Sequence, residues 1–73
     1  VRITVKPAGI IKRFFAEQEM DVAPGLTSRA LIVQLQIPAE LKMISLVNGK
    51  TRRLDDPLEE GDEVRLVTLL TGG

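Results

Sequence analysis

PLEEGDEVRLVTL, residues 57–69, is the stretch whose reading decides the fold. Pro57 to Asp62 completes an acidic loop that begins at Asp55, and the proline and glycine within it mark a turn. From Glu63 the pattern changes. Val64 and Leu66 alternate with Glu63 and Arg65, the period of two expected of a half-buried strand running to about Leu69. Val64 and Leu66 are expected in a core, which places Arg65, Val67 and Leu69 on the opposite face.

At the other end of the chain Val1, Ile3 and Val5 alternate with Arg2, Thr4 and Lys6, a strand of about residues 1–6 that Pro7-Ala8-Gly9 breaks. Past the basic, apolar stretch from Ile10 to Phe15, residues 17–22 alternate again, with Gln18, Met20 and Val22 inward. Ala23-Pro24-Gly25 is a turn, Thr27 can cap a helix with Leu26 stapled to Leu31, and the helix runs to about Gln36, stopped by Pro38. Leu31, Ile32 and Leu35 share a face with Ser28, while Ala30 and Val33 fall outside it. Lys42 to Val47 reads as a strand, and Asn48-Gly49 as a turn into a short strand over Lys50 to Arg53. The order ββαβ(β)β suits one mixed sheet of four or five strands crossed by one helix, with the last strand returning parallel to the first. That is an α+β chain of the β-grasp, or ubiquitin-like, arrangement. It fills residues 1–73 as one domain, with 70–73 a flexible C-terminal tail.

Composition narrows function. With 73 residues the core is small, and no cysteine supplies a disulfide, a thiolate metal site or a nucleophile. Histidine, tryptophan and tyrosine are absent, which removes the usual neutral-pH base and most base-stacking surface. Ten basic and ten acidic residues balance, unlike the basic excess of a nucleic-acid binder. No apolar run approaches a bilayer span and no signal peptide is visible, so a cytoplasmic chain with no membrane partner is expected. Metal binding is not expected. The acids at 55, 56, 59, 60, 62 and 63 read as a solvated turn, Lys12-Arg13 and Arg52-Arg53 as surface, and Phe14 and Phe15 as core or hairpin packing.

At Val47-Asn48-Gly49, at residues 57–66 and at Gly72-Gly73, the sequence resembles the MoaD/ThiS sulfur-carrier family. Pro24-Gly25-Leu26-Thr27 and Ile37-Pro38 also stand where that family has them, so the resemblance covers nearly the whole chain. It implies a β-grasp fold and sulfur carried as a thiocarboxylate on Gly73, for molybdopterin or for the thiazole of thiamine. It implies three partners: an E1-like adenylyltransferase, a sulfurtransferase, and an acceptor synthase subunit, either the large subunit of molybdopterin synthase or thiazole synthase. The chain would then be no enzyme but a cosubstrate, or the small subunit of a synthase.

The chemistry suits two terminal glycines. An α-carboxyl titrates near pH 3.5, and the carboxylate present at neutral pH is inert to sulfur nucleophiles until activated. Attack on the α-phosphate of ATP gives an acyl-adenylate from which sulfur displaces AMP. The chain has no GxxxxGK[ST] loop, so no cofactor is expected to bind it and ATP comes from the partner. Gly72 and Gly73 can thread a narrow nucleotide site, and Leu70 to Gly73 reach roughly 13 to 14 Å when extended.

Val67 and Leu69, on a water-facing surface beside the tail, form an apolar docking patch with Leu46 if Leu46 also points outward, as the likeness of Val47-Asn48-Gly49 to the corresponding ubiquitin turn suggests. The register of residues 43–47 is ambiguous. Arg65, Leu70 and Thr71 complete the expected partner-binding set. Two other functions share the fold: a modifier joined through Gly73 to lysine amines, and a non-catalytic interaction module with an inert tail. The tail lacks the Pro-Pro-Val segment frequent in molybdopterin carriers, and the hairpin is longer than in compact thiazole carriers. Molybdopterin, thiazole, tRNA thiolation and cysteine synthesis all stay open.

Overall fold

The alternating N-terminal segment forms strand β1 (Arg2–Pro7) in a computed structural model that describes residues 1–38 and 40–68. It hairpins to β2 (Gln18–Asp21), pairing Ile3 with Met20. Helix α1 (Ser28–Gln34) follows, then β3 (Met43–Val47), β4 (Lys50–Arg52) and β5 (Glu63–Thr68). The sheet has five strands in the order β2-β1-β5-β3-β4, so the optional fourth strand is formed. β5 is central, parallel to β1 and antiparallel to β3.

Period-two alternation delivers Ile3, Val5, Val64 and Leu66 to one face of the sheet, where they join Leu31 and Ile32 of the helix in a single core cluster. The loop between β1 and β2 holds a 3₁₀ helix over Gly9–Arg13, and its Ile11 is completely buried at the end of that core. Leu54 and Leu58 lace the 54–58 loop to the helix start: Arg29 N–H donates to Leu54 O at 2.9 Å, and Leu58 N–H to Leu26 O at 2.7 Å.

Thr27 caps α1 as expected, its Oγ1 accepting from Ala30 N–H at 3.1 Å. The helix ends differently. It stops at Gln34, because Gln36 turns to φ 61° and Ile37 N–H reaches back to Ile32 O at 3.2 Å while Gln36 N–H reaches Val33 O at 3.0 Å. This pair of bonds is a Schellman closure that satisfies two helix carbonyls before Pro38 is reached. Val33 is 72% exposed and Ala30 lies at the surface, as the helical face requires. Three side chains depart from expectation. Gln18 has inward parity opposite Val5 but is exposed, because β2 is an edge strand. Phe14 is exposed too, since Ile11 and the half-buried Phe15 meet the segment's packing needs. Asp62, counted among solvated acids, is buried.

Candidate functional site

The chain's last described strand is held on both sides. Thr68 pairs with Met43 of β3, and Ala8 N–H donates to Leu66 O at 3.2 Å. Leu69, Leu70, Thr71, Gly72 and Gly73 lie outside the described residues.

The start of β5 is fixed by a clasp of two side chains. At Asn48-Gly49 both residues have positive φ, 52° and 84°, the two-residue turn that the twist of a hairpin favours. Asn48 Nδ2 then donates to Asp62 Oδ1 at 3.0 Å, Asn48 Oδ1 accepts from Glu63 N–H at 3.0 Å, and Asp62 Oδ2 accepts from Glu59 N–H at 2.8 Å. Main-chain bonds from Asn48 N–H to Glu63 O and from Thr4 N–H to Asp62 O lock the same corner to β1 and β3. The Asn-Gly and Gly-Asp pairs, legible in sequence only as turn signals, are thus the two halves of one joint.

The outer face of the sheet, away from α1, divides in two. On the β1 side it is charged. Arg2 pairs with Asp21 at 3.1 Å, and Lys6 with Glu63 at 2.8 Å. The hydrogen bond and charge of Lys6 hold the Glu63 carboxyl below its ordinary range, and Glu63 raises Lys6 in return. On the β3 side the face is apolar. Leu46 stands opposite Arg65, and Ile44 opposite Val67, with Ile44, Leu46 and Val67 all half-buried. Leu46 therefore points outward, beside the strand that leads to Gly73.

Ile44 was absent from the sequence-predicted patch, because residues 43–47 are apolar except Ser45 and their parity could not be read. Ser45 is the misleading residue. It faces the core with no exposed surface, and its Oγ lies 2.8 Å from Oγ of Ser28 on α1, so a polar side chain occupies an inward position at little cost. Had Ser28, already placed on the inward helical face, been matched to Ser45, the register and Ile44 would have followed. Among the described residues no group of three or more His, Cys, Asp or Glu side chains is placed to hold a metal ion, and no helix is long and apolar enough to cross a membrane.

A five-stranded mixed sheet grasping one helix, with β5 at its centre, defines a ubiquitin-like β-grasp protein. Residues 7–73 match the ThiS family, and the chain belongs to that family, whose members are small sulfur carriers rather than catalysts. Among solved structures it is similar to SAMP1 from Haloferax volcanii, with a TM-score of 0.75, 17% identity and complete coverage of both chains. It is also similar to a putative molybdopterin converting factor, subunit 1, from Pyrococcus furiosus, with a TM-score of 0.73, 20% identity, and coverage of 96% of this chain and 99% of that one. A third likeness is to a ubiquitin-like protein from Caldiarchaeum subterraneum, with a TM-score of 0.57, 20% identity, and coverage of 99% of this chain and 100% of that one. Curated proteins include no significant match.

Proposed function

We propose that this chain carries sulfur on the carboxylate of Gly73, activated by an E1-like adenylyltransferase. A carboxylate oxygen attacks the α-phosphorus of ATP and pyrophosphate leaves. Hydrosulfide then displaces AMP to give the thiocarboxylate, or a sulfurtransferase persulfide displaces it to give an acyl disulfide that a thiol cleaves. The acceptor is a synthase subunit of molybdopterin or thiazole formation. The ThiS match running through Gly72 and Gly73 carries this reading. The apolar surface of Ile44, Leu46 and Val67 supports it, since a carrier activated by a partner's ATP needs a face by which that partner recognises it. Arg65, at the edge of that surface, and Leu69, Leu70 and Thr71 beyond it complete the contact, while Gly72 lets the terminus enter the partner's nucleotide site.

Mass spectrometry of the chain from its native host tests the proposal. Replacement of one terminal oxygen by sulfur is the expected result. Amide conjugates between Gly73 and lysines would show a protein modifier instead. Full function after removal of Gly73 would reduce the chain to an interaction module.

A further inference from the structure

Ile10, 40% exposed, and Phe14, 39% exposed, sit at the two ends of the 3₁₀ helix. The fold does not need them outside: Ile11 between them plugs the core, and Phe15 packs against it. Together with Pro38 and Leu41 they line a surface pocket of about 450 Å³, flanked by Arg13 and Glu40. Two large apolar side chains left at one spot on a small chain are an unmet demand for burial.

The pocket lies at the end of the sheet where β5 finishes at Thr68. The 3₁₀ helix follows β1, which flanks β5 on one side, and Leu41 precedes Met43, which pairs with Thr68 on the other. The five residues after Thr68 span at most roughly 17 Å, so a protein that takes Gly73 into a buried centre must bring its surface close to this pocket.

The charge at this end also points outward. Among the described residues Asp21, Asp55, Asp56 and Glu63 are engaged by Arg2, Arg29, Arg52 and Lys6. Lys12, Arg13, Lys42 and Arg65 have no such partner among them, and Lys12 and Arg65 share a depression with Lys6 and Glu17. Glu17 and Glu40 at this end are likewise outside these pairs, so four cations face two acids and a small positive surplus remains near the end of β5.

We propose that this pocket is a second docking element, separate from the sheet face, which receives an apolar side chain of the adenylating partner while carboxylates on that partner meet Lys12 and Arg13. The inference rests on the carrier reading above. ATP–pyrophosphate exchange by the E1-like enzyme of the same organism, with this chain as the varied substrate, tests it. The double variant Ile10→Ser, Phe14→Ser should raise KM about tenfold or more with kcat within about twofold. Lys12→Glu with Arg13→Glu, which leaves the apolar pocket intact, should raise KM at low salt and recover in part at high salt. Val33→Ser, the loss of a still more exposed apolar side chain on the outer face of α1, should change neither. Thermal melts check that each variant is folded.

Exchange that proceeds with wild-type KM for both double variants would overturn the docking proposal and leave the carrier reading intact. No exchange with the wild-type chain would overturn both. Altered Phe14 ring resonances on deleting residues 69–73 would place the chain's own tail in the pocket, and would overturn the proposal as well.

Discussion

Removing the carboxylate of Asp62 tests whether the clasp holds the start of β5. Both of its oxygens accept hydrogen bonds, from Asn48 Nδ2 at 3.0 Å and from Glu59 N–H at 2.8 Å, and the residue is only 9% exposed. Asp62→Ala leaves two donors unpaired. A bond to a charged acceptor is worth about 1.5 to 3 kcal/mol, but Asn48 lies at the surface where water can replace part of the loss, so a total of about 2 to 3 kcal/mol is expected. That is a large share of the roughly 4 to 11 kcal/mol available to a chain of this length. The melting temperature should fall by roughly 10 to 20 °C. Asp62→Asn is the sharper probe: its amide must turn NH₂ toward one of the two donors, so about 1 to 2 kcal/mol is lost although the shape is kept. With no tryptophan or tyrosine, unfolding in urea is followed by far-UV circular dichroism. A cycle with Asn48→Gly, which tolerates the positive φ, should return a coupling of about 1 kcal/mol or more. An Asp62→Ala loss below about 0.5 kcal/mol, or strict additivity in the cycle, would refute the clasp.

Three further outcomes are expected. Val67→Asp or Ile44→Asp should raise the KM for adenylation about tenfold while costing about 1 kcal/mol of stability or less, as kinetics and melts in parallel would show; unchanged kinetics would remove the sheet patch. Gln36→Gly should stabilise the chain by up to about 1 kcal/mol in urea, since glycine relieves the left-handed strain at the Schellman position, and a loss would contradict the φ of 61°. Asp21, Asp55 and Glu63 all have folded-state pKa values lowered first by a hydrogen bond to a basic partner and then by its charge. Stability from these pairs is complete at neutral pH and is lost as pH falls below the ordinary carboxylate range near 4, which melts between pH 6 and 2 would follow; because the pairs are exposed, high salt should flatten the loss.

The strands and the helix were legible because each has a side chain that water excludes at a regular interval. Val64 and Leu66, or Ile3 and Val5, announce both the element and the face it buries. Parity failed where polarity and burial parted. Ser45 is buried because Ser28 satisfies it, and Asp62 because Asn48 and the Glu59 N–H are arranged around its carboxylate, and neither arrangement is visible until the elements are brought together in space. Phe14 failed in the opposite sense, an aromatic side chain outside because its neighbours had filled the space. The candidate site was read in outline from Val67 and Leu46, and it lacked Ile44 for the same reason that the strand's register was unreadable.

A carrier of this kind must be gripped hard and still release its end. The strand leading to the tail is the one strand bordered on both sides by strands that are themselves paired outward, so opening it requires breaking the sheet at its centre. Edge strands β2 and β4 can open locally without disturbing it. On the proposed reading grip and chemistry are separated: binding energy would be collected on the sheet face and beside the 3₁₀ helix, while the carboxylate proposed to react follows glycines that have no side chain for a partner to admit. Substituting either glycine would then lower kcat for adenylation without affecting docking, and substituting the docking residues would raise KM with kcat nearly kept.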